Sequence, residues 1–173
     1  TAIAAGTINA SGMTVTAATE NGLTMSTAHS AAQTITGSGK VDTIYGSTKG
    51  DTIDGGAGAD VIHGGTGADT IDGGAGTDTY HTTSMVAADI EGASTGTSTG
   101  VVINLGTTAV TASAINTATT EFVSGSLTSV GAGQAVYLFG AESSLNTAVA
   151  DTISNVENIT LAGNGINYVV GSS

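Results

Sequence analysis

The chain of 173 residues contains no cysteine, no proline, no tryptophan and no arginine. Without cysteine it forms neither disulfides nor thiolate metal sites, and without proline its turns depend on its 27 glycines. Its aromatic residues are four tyrosines and two phenylalanines, too few for the core of an ordinary globular domain of this length. Thin layers of Ile, Val and Ala packed between backbone coils, as in a solenoid, fit this composition better.

Positive charge is nearly absent as well, because two lysines stand against 14 acidic residues for a net charge of −12. Nucleic acids and anionic membrane surfaces attract basic patches, so neither is expected as a partner. No run approaches the roughly 18 apolar residues of a membrane-spanning helix, which predicts no membrane insertion. This charge balance instead favours cations as ligands and an extracellular location.

Motifs of the common enzyme classes are also missing from the sequence. There is no H-E-x-x-H zinc-binding helix, no G-x-S-x-G nucleophile elbow and no phosphate-binding loop. Glu121, Glu142 and Glu157 lie far apart in the sequence, without predictable partners. These absences predict a protein that is not an enzyme.

What the sequence has in abundance is a nine-residue repeat. Five consecutive units span residues 37–81: GSGKVDTIY, GSTKGDTID, GGAGADVIH, GGTGADTID and GGAGTDTYH. Aspartate occupies the sixth position of every unit, and the eighth position holds isoleucine or, in the last unit, Tyr80. A fixed period of this kind is typical of stacked-repeat architectures.

Each unit combines a turn with a short strand. Glycines at positions one, two and four permit backbone angles that other residues adopt at a cost, which predicts a tight turn over the first six positions. The last three positions predict a strand whose central residue points inward. Two units then make one coil, so that units 1 and 3, 2 and 4, and 3 and 5 stack. We name the first six residues of each unit turns 1 to 5: 37–42, 46–51, 55–60, 64–69 and 73–78.

Stacking places the sixth-position aspartates in columns, where their like charges repel. Carboxylates about 4.8 Å apart, the spacing of neighbouring strands, repel by roughly 3.5 kcal/mol at an effective dielectric constant near 20. A divalent cation between them reverses this sign, and oxygen ligands in a flexible cage suit calcium better than magnesium. The alternative is that each aspartate only caps its own turn by accepting backbone N–H groups.

The repeat resembles the calcium-binding nonapeptide of RTX proteins, G-G-x-G-x-D-x-U-x, where U is a large aliphatic residue. Units 3 to 5 match it except at Tyr80. Units 1 and 2 depart from it, with Ser38 and Ser47 at the second position and Lys40 and Lys49 at the fourth. The resemblance implies an all-β fold, a parallel β-roll or β-solenoid with calcium-binding turns, flanked by further β-rich segments.

The same resemblance implies the ligand and its site. In RTX rolls calcium lies between turns stacked one coil apart, held by backbone carbonyls and sixth-position carboxylates. Five units therefore offer at most three complete Ca²⁺ sites. The implied carboxylate ligands are Asp42, Asp51, Asp60, Asp69 and Asp78, and the implied carbonyl ligands are Gly55, Ala57, Gly64, Thr66, Gly73 and Ala75.

The rest of the chain divides around the repeats. Residues 1–36 are predicted to form β-rich N-terminal coils without metal-binding turns, followed by the calcium-binding roll at 37–81. Residues 82–173 are predicted to form a β-rich C-terminal segment, with a loop at 91–100 and a short helix or an excursion from the solenoid at 111–128. Within that segment, 151–173 is similar to the D-T-L-S-N-I-E-N-L-T stretch found beside RTX blocks.

Other residues of the repeats have simpler predicted roles. Asp54 and Asp72, at the ninth position, are expected to face solvent. His63 and His81 share that position in stacked units, and we predict two exposed strand histidines, with a transition-metal pair as the alternative. Tyr80 is expected to close the aliphatic column at the end of the roll.

Several functions fit such a roll, because RTX proteins leave the cell unfolded by type I secretion and fold in extracellular calcium. The composition resembles that of RTX-containing S-layer proteins, and this resemblance implies a structural module of a secreted bacterial cell-surface protein that self-associates into a lattice or filament. Cell-surface polysaccharide is a further candidate partner. The alternatives are a tether or repeat module of a large RTX adhesin and the C-terminal secretion domain of an RTX exoenzyme.

Overall fold

The computed structural model describes residues 6–9, 24–26, 31–82, 98–111, 129–141, 144–161 and 166–171. These residues contain 17 strands and no helix, and hence no helix that could cross a membrane. The chain forms two compact units, the first comprising Thr1–Thr83 with Ile153–Ala162 and the second Ser84–Thr152 with Gly163–Ser173. The division thus falls elsewhere than at the sequence boundaries 36/37 and 81/82.

The repeats fold into two parallel sheets, with successive units alternating between them. One sheet contains β3 (Gln33–Thr36), β5 (Thr52–Asp54) and β8 (Thr70–Asp72), and the other contains β4 (Thr43–Tyr45), β7 (Val61–His63) and β10 (Thr79–His81). Ile53 pairs with Ile71 and Ile44 pairs with Ile62, so each residue pairs with the one two units later. The predicted all-β fold with a parallel β-roll is confirmed.

The roll extends toward the N-terminus beyond the repeats. β1 (Gly6–Asn9) pairs in parallel with β3, and β2 (Thr24–Ser26) pairs in parallel with β4, so each sheet gains a strand. In β3, Ile35 pairs with Ile53 and takes the place of an inward aliphatic residue. The described residues of the N-terminal segment therefore contribute strands to the coils.

An apolar column runs through the interior of the coils. Its members are the eighth-position side chains, each at most 1% exposed: Ile35, Ile44, Ile53, Ile62, Ile71 and Tyr80. The residues on either side of each column member are exposed or half-buried, because successive strand residues point to opposite faces. Gln33, two residues before Ile35, is buried on the inward face as well. Burying one isoleucine contributes about 1.5–3 kcal/mol, so each coil carries its own apolar stabilisation.

A further coil, distant in sequence, follows unit 5. β16 (Asn158–Thr160) pairs in parallel with β10 and sets Ile159 beside Tyr80. Gly73 N–H donates to Ser154 O at 3.0 Å, in the same way as the first-position glycine one coil earlier donates to Asp72 O. The expectation that Tyr80 closes the column is therefore wrong, because Ile159 continues it. Residues 153–161 belong to the roll, although the sequence assigns them to the C-terminal segment.

The second unit contains a mixed sheet. β11 (Ser98–Asn104) pairs antiparallel with β14 (Gln134–Ala141) and parallel with β17 (Ile166–Val170). β14 in turn pairs antiparallel with β15 (Ser144–Ser154). The short strands β12 (Val110–Thr111) and β13 (Ser129–Val130) pair antiparallel with each other. Val102, Val130 and Val136 form its buried core. β11 begins inside the predicted loop 91–100. The predicted helix or excursion at 111–128 lies outside the described residues from position 112 onward.

Candidate metal centre

The five sixth-position aspartates lie in buried columns, each at most 2% exposed. In every stacked pair, the Oδ1 atom of the later aspartate accepts the backbone N–H of the earlier one. These hydrogen bonds join Asp42 N to Asp60 Oδ1 at 2.7 Å, Asp51 N to Asp69 Oδ1 at 2.8 Å and Asp60 N to Asp78 Oδ1 at 2.8 Å. The structure thus brings together the three aspartate pairs that the sequence predicts.

Two other residues extend the columns, Gln33 with its backbone N–H and Glu157 with its side chain. Gln33 N–H donates to Asp51 Oδ1 at 2.6 Å, and Asp78 N–H donates to Glu157 Oε2 at 2.8 Å. Glu157 is the last of the three residues between β15 and β16, where the nonapeptide has six. Its longer side chain therefore takes the place of an aspartate in the last coil. The sequence analysis missed this member because the shorter turn breaks the nine-residue period.

One carboxylate oxygen in each of turns 3, 4 and 5 has no hydrogen-bond donor in the described part of the chain. These buried atoms are Oδ2 of Asp60, Oδ2 of Asp69 and Oδ2 of Asp78. A buried polar group without its partner costs about 1–3 kcal/mol, and a charged group costs more. The turns are therefore destabilised unless a positively charged ligand contacts these oxygens.

Backbone carbonyls face the same small spaces. A methyl group placed on Gly55 would lie 2.5 Å from Gly73 O and 2.8 Å from Asp60 Oδ2, so both oxygens face the gap that the glycine leaves. A similar gap beside Gly73 is bounded by Asn155 O and, at 2.9 Å, by Asp78 Oδ2. Carboxylate and carbonyl oxygens are the ligands that calcium prefers, so the donor set fits this ion.

The predicted carbonyl ligands differ in what the structure shows for them. The first-position carbonyl oxygens of Gly55, Gly64 and Gly73 each face the first-position glycine one coil earlier. At the third position, the N–H groups donate to the preceding coil: Ala57 to Ser38 O at 3.1 Å, Thr66 to Ser47 O at 3.2 Å and Ala75 to Gly56 O at 2.8 Å. A ligand role for the third-position carbonyls stays a prediction.

A comparison with family models identifies the repeats. Residues 45–80 match the family described as RTX calcium-binding nonapeptide repeat (4 copies). This segment is an RTX calcium-binding block. A search of curated proteins and a search of solved structures each found no match. RTX repeats bind Ca²⁺, which confirms the predicted ion. In the RTX block, Asp60 and Asp78 with Gly73 O would hold calcium between turns 3 and 5, where the ion supplies the positive charge that the buried carboxylates lack.

The ninth-position aspartates of the RTX block cap the turns that follow them. Asp54 Oδ1 accepts Gly56 N–H at 3.0 Å, and Asp72 Oδ1 accepts Gly74 N–H at 3.1 Å. Asp72 Oδ1 also accepts Asn155 Nδ2 at 2.8 Å. An aspartate two residues before a glycine is a common turn signal, and it could have predicted these contacts. Both side chains stay partly exposed, so they hold the turns from outside.

The histidines of the RTX block belong to a stack of rings on the second sheet. The ring centroids of Tyr45 and His63 lie 4.2 Å apart, and those of His63 and His81 lie 4.4 Å apart. Burial, together with the nearby His81, lowers the pKa of His63.

Among the described residues, no group of three or more His, Cys, Asp or Glu side chains is placed to hold a metal ion. A site in the turns therefore depends on backbone oxygens as well as carboxylates.

Burial makes Asp60 and Asp78 weaker acids. The pKa of Asp60 is raised from 3.8 to about 6, mainly by burial; the hydrogen bond from Asp42 N–H opposes this rise, and the charges of Asp42, Asp78 and Asp54 contribute to it. Burial likewise raises the pKa of Asp78, with a smaller contribution from the charge of Glu157. Without a cation, the folded roll therefore favours protonation of these carboxylates.

We expect acidification to stabilise the calcium-free roll. Because the folded-state pKa of Asp60 lies above its ordinary value, its contribution to the free energy of unfolding is complete below pH 3.8 and is lost as the pH rises through about 6. In calcium-depleted buffer, lowering the pH from about 7 to about 5 should increase the β-sheet circular dichroism of the chain. An Asp60→Asn variant, which has no charge to bury, should respond less. An equal increase in both proteins would show that protonation of Asp60 is not the cause of the stabilisation.

Proposed function

We propose that the chain is a calcium-dependent structural module of a secreted bacterial cell-surface protein of the S-layer type, and that it is not an enzyme. The observation that carries the proposal is the RTX block with its buried carboxylate oxygens that have no donor. RTX repeats are typical of proteins exported by type I secretion. A module of this kind folds where calcium is plentiful, which is outside the cell.

The buried carboxylates explain how export and folding are coupled. Without a cation, folding must bury the charges of Asp60, Asp69 and Asp78 and also order a glycine-rich backbone, which loses much conformational entropy. The chain then stays unfolded and suited to secretion. When calcium is bound, its binding free energy becomes folding free energy.

An outward row of threonines supports self-association into a lattice. Thr34, Thr52 and Thr70 are exposed and lie in direct register on one sheet of the roll. Their hydroxyl groups repeat at the strand spacing of about 4.8 Å, which gives a polar, uncharged surface that a second copy can match. Such a row of hydroxyl groups also suits contact with cell-surface polysaccharide.

A tether in a large adhesin is the second candidate. Parallel pairing runs without a break from β1 through β3 and β5 to β8, so force along the coils is shared by many backbone hydrogen bonds. In that case calcium stiffens the module, and no lateral contact between copies is needed.

Electron microscopy of the purified chain separates the two candidates. For the lattice we expect ordered two-dimensional arrays in millimolar calcium and dispersed particles after chelation. A Thr52→Glu variant, with a charge in the middle of the threonine row, should fold in calcium without forming arrays. The matched Thr48→Glu variant, on an exposed turn position, should still form them. Particles of the parent protein that stay dispersed in calcium would contradict the lattice and favour the tether.

A further inference from the structure

The five turns adopt two different backbone conformations. In turns 3, 4 and 5 the second-position glycines have positive φ: Gly56 at +96°, Gly65 at +100° and Gly74 at +93°. The fourth-position glycines of these turns have positive φ as well. No residue of turns 1 and 2, all of which the structure describes, has a positive φ. Ser38 and Ser47 occupy the second position there, where a side chain disfavours the left-handed region.

In turns 1 and 2 the serine provides both carboxylate oxygens with donors. Ser38 donates its N–H to Asp42 Oδ2 at 2.5 Å and its hydroxyl to Asp42 Oδ1 at 3.0 Å. Ser47 makes the same two bonds to Asp51, at 2.5 and 2.9 Å. Each serine Oγ also accepts the N–H of the residue two positions later, at 3.2 and 3.1 Å. The aspartates of these two turns are therefore buried with their charge already hydrogen-bonded.

In the glycine turns the second-position N–H points elsewhere. Gly56 N–H donates to Asp54 Oδ1 and Gly74 N–H donates to Asp72 Oδ1, both on the preceding strand. There is no hydroxyl at this position to replace the lost donor. Oδ2 of the sixth-position aspartate consequently lies buried without a hydrogen bond in turns 3 and 5. The residue at the second position thus distinguishes two kinds of aspartate. With serine, donors of the same turn bind both carboxylate oxygens and the aspartate is closed; with glycine, Oδ2 has no such donor and the aspartate is open to a cation.

The distribution of basic residues follows the same division. The two basic residues of the whole sequence, Lys40 and Lys49, stand at the fourth position of turns 1 and 2. The fourth position of turns 3, 4 and 5 is glycine. Fixed positive charge is therefore confined to the turns whose aspartates already have donors, and a fixed positive charge beside a calcium site would weaken binding of the ion.

We propose that Ser38 and Ser47 determine which turns bind calcium: their N–H and hydroxyl groups replace the ion in turns 1 and 2, and the glycine turns alone provide open carboxylates. The inference rests on the proposed calcium-dependent function and refines it. The three aspartate pairs are then unequal. The pair of turns 3 and 5 has two open carboxylates, whereas turns 1 and 3, and turns 2 and 4, each include one that serine closes. The carboxylates of turns 1 and 2 then have hydrogen-bond donors without an ion, and only the glycine turns need calcium to satisfy theirs.

Converting a serine turn into a glycine turn tests the proposal. A Ser47→Gly/Lys49→Gly variant gives turn 2 glycines at the two positions that have positive φ in turns 3 to 5. Isothermal titration with calcium should show about one more ion bound per chain than in the parent protein. In calcium-depleted buffer the variant should retain less β-sheet circular dichroism than the parent, because Asp51 loses the two donors that Ser47 provides. Ser38→Gly/Lys40→Gly repeats the test in turn 1.

The control is Thr48→Gly, which adds a glycine to turn 2 and keeps the serine. It should bind the same number of ions as the parent. If it binds an additional ion, the inference is overturned, because added flexibility of the turn, and not loss of the serine, would then explain the gain. Unchanged stoichiometry in both serine variants, in a parent that binds calcium, would overturn the inference alone. A parent that binds no calcium would overturn the proposed function as well. Loss of folding by both serine variants in saturating calcium would also contradict the proposal, because the ion is expected to replace the serine.

Discussion

Depletion of calcium is expected to abolish most of the β-structure of the RTX block, and calcium added back is expected to restore it cooperatively. At a free concentration of about 100 times its dissociation constant, one bound ion stabilises the folded state by about 2.7 kcal/mol. Native domains are stable by only about 5–15 kcal/mol, so the loss of even two ions removes much of the total. The donor-free oxygens of Asp60 and Asp78 add a further cost to the calcium-free fold.

Hydrogen–deuterium exchange measured by mass spectrometry can locate this change along the chain. Peptides from residues 45–80 should lose their protection in calcium-depleted buffer. Peptides that contain Val102 and Val136 serve as the reference, because the core of the second unit is formed by valines. Magnesium at the same concentration should restore little protection, since it demands a tighter octahedral arrangement of ligands. Full protection of 45–80 without calcium would contradict a calcium-dependent fold.

The repeat pattern was sufficient to predict the roll because it acts over one or two units. An isoleucine at each eighth position must be buried, and two turns per coil set Ile44 beside Ile62 and Ile53 beside Ile71. The same periodicity aligns the aspartates that end the turns, so the pairs were predictable before any coordinates. The all-β parallel fold, the RTX repeats and the calcium ion are confirmed.

Two features of the site depend on information that the period does not contain. Glu157 joins the column from a segment 79 residues beyond Asp78, and its short turn does not match the repeat. Only the tertiary pairing of β10 with β16 shows that Ile159, not Tyr80, continues the apolar column. Long-range pairing of this kind has no local signature in a single sequence.

The second feature is the difference between serine and glycine turns. The sequence shows Ser38 and Ser47 as departures from the repeat, but not the direction in which their N–H groups point. That direction depends on the sign of φ at the second position, which is positive at Gly56 and not at the serines. The substitution therefore acts through backbone conformation as well as through the added hydroxyl.

Substitution of Asp60 is the second large effect that we expect. Its Oδ1 accepts the buried N–H of Asp42, its own N–H donates to Asp78 Oδ1, and its Oδ2 has no donor among the residues that the structure describes. Asp60 is thus shared by two stacked pairs. Asp60→Ala removes a calcium ligand and also leaves the N–H of Asp42 buried without an acceptor.

In saturating calcium, we expect Asp60→Ala to lower the free energy of unfolding by about 4–6 kcal/mol. About 2.7 kcal/mol comes from the loss of one bound ion, and about 1–3 kcal/mol from the unsatisfied N–H. Urea denaturation followed by circular dichroism measures the change. The control is Asp54→Ala, which removes the same charge from an exposed position and releases only Gly56 N–H, for an expected loss of about 1 kcal/mol. Equal losses in the two variants would exclude a special role for Asp60.

Asp60→Asn distinguishes a metal ligand from a turn cap, because its amide oxygen can still accept the Asp42 N–H while the charge is gone. Burial raises the pKa of Asp60 to about 6, so carrying that charge at pH 7 destabilises the calcium-free fold. The variant should therefore be more folded than the parent in calcium-depleted buffer and less stable than the parent in calcium. If Asp60 only capped its turn, the difference in stability between variant and parent would be the same with and without calcium. A ligand role for this carboxylate would be refuted if the stabilities of parent and variant rose equally with calcium, so that the two titration curves ran parallel and did not cross.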